Sequence, residues 1–286
     1  MEPRTRLRRR LTEGPIVVAP GAYDALVARL IEQAGFEAVY LSGAGVSYTR
    51  LGRPDIGLLS FTEMVQVCEA MAEAVGIPVI ADGDTGYGNA LNVQRTVRAY
   101  ERAGVAAIQL EDQTFPKRCG HLSGKAVAPA DEMVGKIKAA CDARRDPDFL
   151  VIARTDARAT DGMDEALDRA RRYAEAGADV LFVEAPQSVE ELRAVPPALP
   201  RPCLANMVER GRTPLVRAAD LDAMGYRIVI FPNAVTRFIA RQAAGFLARL
   251  AAEGGTAGLL DEMIGFEDFN RLLGLAELRA AEERYR

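Results

Sequence analysis

The sequence is nearly without histidine. Its 286 residues hold one, His121, and four cysteines, Cys68, Cys119, Cys141 and Cys203, none in a CxxC spacing. That argues against a structural zinc site and against a disulfide framework. Reduced thiols fit a cytoplasmic location. No apolar run approaches the ~20 residues of a membrane span, so no membrane partner is expected. Excess positive charge is also missing: the formal net charge is −4, and no nucleic-acid partner is expected. The one basic run, Arg4, Arg6, Arg8, Arg9 and Arg10, has no apolar segment behind it. It reads as a solvated N-terminal arm over residues 1–14 rather than as a secretory signal. A Gly-rich dinucleotide fingerprint is absent too. The first strand pattern leads into a loop Pro20-Gly21-Ala22, not GxGxxG.

What is present is ordinary globular material, 49% hydrophobic and 27% charged, enough for a sizeable core. One rhythm recurs along it. An amphipathic helical pattern ends near a glycine, and a short apolar run then ends in polar residues. Glycine suits a helix C-cap, and apolar runs between helices suit strands buried on both faces. Eight such strands are expected, at 15–19, 36–41, 77–81, 105–110, 149–153, 179–183, 202–205 and 227–231. Helical patterns follow most of them, among them 23–34, 90–103 and 162–176. Eight β/α repeats predict an α/β fold, a TIM-type (β/α)8 barrel spanning 15–286 as one domain. A doubly wound open sheet is the alternative. A long helix at about 234–253 and apolar segments beyond about 254 follow. These carry Phe266, Phe269, Leu272, Leu273, Leu275 and Leu278, and must pack on the barrel or on another subunit.

In such barrels the chemistry lies at the C-terminal strand ends. Here those ends carry Tyr40-Leu41-Ser42-Gly43-Ala44, Asp82-Gly83-Asp84, Glu111-Asp112, Arg154-Thr155-Asp156, Glu184, Asn206 and Asn233. Several carboxylates converging on one mouth call for a cation, and Mg²⁺ suits hard oxygen ligands. Asp82 and Asp84, two apart on an extended segment, are expected to point the same way. Asp112 and Asp156 read as helix caps. Lys117 and Arg154 suit the carboxylates of a substrate, and the backbone from Gly43 to Gly45 suits another anionic end. The stretch Lys117-Arg118-Cys119-Gly120-His121 follows the fourth strand. Two cations beside a thiol lower its pKa, which suits proton transfer or nucleophilic attack. Gly120 and Gly124 let the loop bend as a lid must. An exposed basic loop with an incidental cysteine is the competing reading.

That stretch resembles the gating loop of the isocitrate lyase and phosphoenolpyruvate mutase superfamily. Supporting pieces run over about 15–235: Pro20-Gly21-Ala22-Tyr23-Asp24-Ala25, Ser42-Gly43-Ala44-Gly45, Gly52-Arg53-Pro54-Asp55, Asp82-Gly83-Asp84-Thr85-Gly86-Tyr87-Gly88, Glu111-Asp112-Gln113, Ala153-Arg154-Thr155-Asp156 and Ala205-Asn206-Met207. Cys119 places the likeness in the small-lyase branch, with 2-methylisocitrate lyase, 2,3-dimethylmalate lyase and the petal death protein. The resemblance implies Mg²⁺-dependent cleavage of a 2-hydroxy dicarboxylate or tricarboxylate to a 2-oxo acid and a carboxylate, with Mn²⁺ as an allowed substitute. It implies Asp84 as the direct metal ligand, with Asp82 and Glu111 acting through coordinated waters. Ser42, Gly43 and Ala44 would bind the oxo-acid end, with Gly120, His121, Glu184, Asn206 and Asn233 lining the rest. Arg154 would bridge the fragments, Lys117 would belong to the catalytic loop, and Cys119 would protonate the departing fragment. The base is left open between Asp55 and Tyr40. A homotetramer with one helix swapped between subunits is also implied. Two positions depart from the pattern. Gln109 stands where several lyases have histidine. Asn233 replaces an apolar residue of methylisocitrate lyases, against methylisocitrate as substrate. An oxaloacetate hydrolase, a phosphonate-related mutase (disfavoured by Cys119) and a non-catalytic barrel are the other readings.

Overall fold

The computed structural model describes residues 1–120 and 124–286. Eight parallel strands close into a barrel in sequence order: β1 (Val17–Ala22), β2 (Val39–Leu41), β3 (Val79–Asp82), β4 (Ala107–Glu111), β5 (Leu150–Thr155), β6 (Val180–Val183), β7 (Cys203–Asn206) and β8 (Tyr226–Phe231). The helices are α1 (Pro3–Arg10), α2 (Ala25–Gln33), α3 (Gly43–Val46), α4 (Phe61–Ala74), α5 (Ala90–Arg102), α6 (Ala130–Ala143), α7 (Met163–Glu175), α8 (Val189–Ala198), α9 (Ala218–Met224), α10 (Ala234–Glu253), α11 (Phe266–Leu272) and α12 (Leu275–Glu283). The expected barrel is present and the open sheet is excluded, because β1 pairs with β8 from Val17↔Ile228 to Pro20↔Phe231. Strand β1 runs through Pro20-Gly21-Ala22, which the sequence reading placed in a loop. A Cβ at Gly21 would meet the Pro232 carbonyl oxygen at 2.0 Å, so only glycine lets the two segments approach.

The core has two shells. Inside the barrel, Val17, Ala19, Tyr40, Ile80, Ala107, Ile152, Phe182 and Ile230 interdigitate. Between strands and helices lie Val27, Ile31, Met64, Met71, Val97, Tyr100, Ile137 and Tyr173. This two-layer packing explains why the strands are apolar on both faces.

The N-terminal segment is not a solvated arm. Its helix α1 and the capping residue just after it insert Leu7 and Leu11 into the inner shell, with Leu7 1% exposed. The arginines around them bind strand-connecting loops. Arg4 Nε donates to the Val105 carbonyl at 3.0 Å, and Arg4 pairs with Asp146 at 3.1 Å and Arg8 with Asp179 at 3.0 Å. The far end is different. Helix α10 has one buried residue, Thr236, and α11 and α12 have none. Among the described residues, no helix is long and apolar enough to cross a membrane.

Candidate active site

The ladder carries polar residues to the mouth. In the β3–β4 register Asp82 lies opposite Gln109, and in the β4–β5 register Glu111 lies opposite Arg154. Gly83 passes so close to β4 that a Cβ would sit 2.8 Å from the Gln109 carbonyl. Asp84 follows at φ +47. It is therefore past the strand, in the left-handed region, and does not share an extended segment with Asp82 as the sequence suggested. Such strain clusters at functional sites. The Asp84 N–H donates to Asp82 Oδ1 at 3.1 Å, and the Gly43 N–H donates to Asp82 Oδ2 at 3.2 Å.

A cavity of about 40 Å³ lies over the mouth, lined by Tyr40, Ser42, Ala44, Asp55, Asp82, Glu111, Lys117, Arg118, Cys119, Gly120, Arg154, Glu184, Asn206, Val208, Ile230, Pro232 and Asn233. It has room for a few water molecules and is too small for a dicarboxylic acid. Most expected site residues thus meet in one place. Gly43 is not among the lining residues, but its backbone abuts Asp82. Asp84 opens instead onto a neighbouring cavity of about 580 Å³ on the other side of Lys117. His121 lies outside the described residues. A larger cavity of about 830 Å³ between α8 and α9 shares no residue with the mouth.

The loop after β4 is folded down onto this site. Gln113 pins it by donating from Nε2 to the Arg118 carbonyl at 2.8 Å and accepting from the Arg118 N–H at 2.9 Å. The Cys119 N–H donates to the Asp55 carbonyl at 3.2 Å. Asp55 is presented by a loop held by the Ser47 hydroxyl, which donates to the carbonyls of Arg53 and Pro54. A Cβ at Gly120 would sit 2.2 Å from Glu184 Oε1 and 2.3 Å from Arg154 Nη2. Glycine is what lets the loop close this far.

Lys117 does not face open space for a substrate. Its ammonium lies 2.6 Å from Asp55 Oδ1 and 2.6 Å from Asp84 Oδ1. Burial alone would lower its pKa, but Asp84, Asp55, Glu111 and Asp82 outweigh burial and hold it well above the usual value. Its charge is therefore balanced by the chain's own acids. Burial raises Asp84 to about 7, with Lys117 opposing. Burial likewise pushes Glu111 well up, against Arg154 and Lys117. Tyr40 donates to Gln109 Oε1 at 2.9 Å; burial, then the charge of Asp82, drive its phenol well above its ordinary value.

Arg154 sits among carboxylates. Asp156 accepts from its Nε at 2.9 Å and from Nη2 at 3.1 Å, while Glu111 and Glu184 stand at 3.5 and 3.8 Å. Asn206 donates to both Glu184 oxygens. Ser42 caps α3 by accepting from the Gly45 N–H and bonds Asn233 Oδ1 at 3.2 Å.

Neither Asp112 nor Asp156 caps a helix with its side chain: Asp156 stands at the N-cap position of the short turn Ala157–Ala159, but its side chain makes no capping bond. Both are fully buried. Asp112 accepts from the Asp156 N–H at 2.9 Å and from the Tyr173 hydroxyl at 2.8 Å. Asp156 also receives the Lys125 ammonium at 2.6 Å. The sequence reading missed Lys125, Val208, Ile230 and Pro232. Lys125 had a signal, a lysine in the same loop as Cys119, but its partner lies 31 residues on.

Among the described residues, no three acidic, cysteine or histidine side chains are grouped as a ready metal cage. The donor set still fits a hard dication. The buried Asp84 Oδ1 is already served by the Lys117 ammonium at 2.6 Å, but Glu111 Oε1 is buried and accepts no hydrogen bond, and the same holds for Asn206 Oδ1. Buried carboxylate oxygens left so are costly unless a cation serves them. Mg²⁺ keeps several waters and takes one or two carboxylates, so no full cage is needed.

The family model for phosphoenolpyruvate phosphomutase matches residues 7–251. A 2,3-dimethylmalate lyase of Eubacterium barkeri is 51% identical over 285 residues, covering 100% of this chain and 99% of that protein. A solved oxaloacetate acetylhydrolase bound to the inhibitor 3,3-difluorooxalacetate superposes with a TM-score of 0.94 at 38% identity, covering 100% of this chain and 98% of that one. A phosphonopyruvate hydrolase with oxalate and Mg²⁺ gives a TM-score of 0.89 at 35% identity, covering 100% and 99%.

Proposed function

The chain belongs to the phosphoenolpyruvate mutase and isocitrate lyase superfamily, and from that premise we propose that it is a carbon–carbon lyase cleaving a 2-hydroxy dicarboxylate of the 2,3-dimethylmalate type to a 2-oxo acid and a carboxylate. The observation that carries the reading is Cys119 on the wall of the same small cavity as Arg154, Glu111 and Asp82. The full-length likeness to a dimethylmalate lyase supports it.

Mg²⁺ would be held by Asp84 directly and by Asp82 and Glu111 through water, and Mn²⁺ would serve in its place. Its charge would polarise substrate oxygens and stabilise negative charge as it develops. The relative with Mg²⁺ bound supports this choice of ion. Arg154, oriented by Asp156, bridges the two fragments across the breaking bond. Ser42 and Ala44 face the oxo-acid end, with Gly43 behind them. Glu184 and Asn206 form the polar wall, with Gly120 and the loop residue His121 above it. A base takes the 2-hydroxyl proton. Asp55 suits this better than Tyr40, whose phenol burial keeps protonated. The carbonyl then forms as the carbon–carbon bond breaks, and the electron pair passes to the fragment's carboxylate as an enediolate. The thiol of Cys119 returns a proton to that carbon. Lys117 holds Asp55 and Asp84 in place.

Asn233 lines the cavity together with the apolar Val208, Ile230 and Pro232, a lining that suits a small substituent better than a third carboxylate. The exposed helices support a homotetramer with one helix exchanged. Phe238 is 63% and Phe266 84% exposed, and an apolar groove of about 380 Å³ lined by Val18, Val27, Leu30, Ile31, Phe231 and Val235 lies beside the start of α10. A cytoplasmic enzyme acting on a small carboxylate, with neither nucleic acid nor membrane as partner, fits all of this. A substrate panel with product analysis tests the reading. Pyruvate plus a monocarboxylate from a malate derivative supports it. Oxalate plus acetate from oxaloacetate alone would replace it with the hydrolase, and no turnover or Mg²⁺ binding at all with a bare scaffold.

A further inference from the structure

We propose that Lys125 is the latch that holds the Cys119 loop closed, and that it does so through Asp156, the same carboxylate that orients Arg154. The proposal rests on the reading of this loop as a moving lid over a catalytic site. The loop as it stands leaves a cavity of only about 40 Å³ and packs Gly120 against Glu184 and Arg154, so seating a molecule of substrate size calls for the loop to shift.

The geometry is specific. The Lys125 side chain is 2% exposed. Its Nζ donates to the carbonyl of Gly120, the residue after Cys119, at 2.5 Å and to Asp156 Oδ1 at 2.6 Å. One bond therefore goes to the loop near the thiol and the other to the scaffold. The scaffold end is rigid. The Asp156 N–H is fixed on Asp112, which accepts from Tyr173 and from Arg169 Nη1 of α7. Lys125 itself stands on the loop's return stem, where Thr114 N–H donates to the Ala126 carbonyl at 2.9 Å. The ammonium spans from stem to tip and ties both to the barrel.

Asp156 already receives two hydrogen bonds from Arg154, so neutralising its charge does not require a second buried cation. What Lys125 adds is dependence on the loop. With the loop down, Asp156 divides its oxygens between Lys125 and Arg154, and the guanidinium extends toward Glu111 and Glu184. With the loop up, the Gly120 bond is gone and the Lys125 hold on Asp156 weakens. Arg154 then has the carboxylate to itself and is drawn back from the cavity. Lys125 is thus a positioning residue: it touches no substrate atom.

The test is the rate at which iodoacetamide alkylates Cys119 in the full-length, ligand-free protein, read by peptide mass spectrometry for wild type, Lys125→Met and Lys125→Arg. Loss of a charge-assisted hydrogen bond predicts a roughly ten- to hundredfold faster rate for Lys125→Met, with Lys125→Arg near wild type because it keeps the charge and the donors. A lysine that only stabilised the fold would lower the melting temperature and leave the Cys119 rate alone; that result overturns the latch. In an Asp156→Asn background the Lys125→Met step should lose most of its effect, and a full effect there overturns the route through Asp156. If Asp156→Asn does not fold, Asp156→Glu, which keeps the charge but displaces it, should weaken the Lys125→Met effect, and an unchanged effect overturns that route. No substrate is involved, so an intact Lys125 effect beside a failed substrate panel would place the error in the reaction and not in the latch.

Discussion

Gly120→Ala is a single methyl whose consequence can be worked from distances. In the closed loop the new Cβ would stand 2.2 Å from Glu184 Oε1 and 2.3 Å from Arg154 Nη2. Both neighbours are held, Glu184 by Asn206 and Arg154 by its two bonds to Asp156. To admit the methyl, Arg154 must give up at least one charge-assisted bond, which costs about 1.5–3 kcal/mol. The alternative is a loop that stays open, where the methyl meets nothing. Closed molecules should therefore become about 10- to 100-fold rarer, and turnover should fall by at least that factor because Cys119 no longer reaches the site. Global stability should fall by no more than the free energy that separates the open loop from the closed one, because the open loop gives the methyl room. Steady-state kinetics beside thermal unfolding separates the two effects. Wild-type turnover in Gly120→Ala would refute the closed loop as the reactive state, and a large drop in melting temperature would refute the claim that the open loop tolerates the methyl.

Cys119→Ser should keep Mg²⁺ and oxo-acid binding by calorimetry yet lose roughly 10²–10⁴-fold in turnover, the size of a lost general acid. Asp84→Ala should weaken Mg²⁺ binding more than Asp82→Ala or Glu111→Ala, since a direct ligand fixes the ion and a water-bridged acid only orients its shell; equal losses by calorimetry would contradict the roles. Leu7→Ala should destabilise by about 2–5 kcal/mol, as a buried leucine does, whereas a solvated arm would show almost no change in a denaturant titration. Tyr173→Phe should cost about 1–3 kcal/mol by leaving buried Asp112 short of a donor, read as a lower denaturation midpoint with the oligomeric state unchanged.

The barrel was legible because each strand is an apolar run between glycine-capped helices. The strand ends were not, because the ladder continues past the last apolar residue. Asp82, Glu111, Arg154 and Asn206 are all paired strand residues, although a hydropathy reading stops before them. The residues that meet at the mouth could be named from the sequence because they cluster at those ends. Their partners could not. Capping is a local rule, and it claimed Asp112 and Asp156, whereas the bonds that fix them reach Tyr173 across 61 residues and Lys125 across 31. Lys117 was read as a cation for substrate carboxylates for the same reason, since its partners Asp55 and Asp84 come from the loops that follow β2 and β3. The arginines of α1 concealed the buried Leu7 and the buried Leu11 that follows the helix, because charge dominated the composition of the segment.

The central claim is that this site breaks a carbon–carbon bond in a 2-hydroxy dicarboxylate and protonates the fragment from Cys119. The most direct measurement is NMR of the products formed from 2,3-dimethylmalate with Mg²⁺ in deuterium oxide. Equal amounts of pyruvate and propionate, with the propionate singly deuterated at the carbon that lost its bond, are the predicted result. Unchanged dimethylmalate beside conversion of oxaloacetate to oxalate and acetate would contradict it.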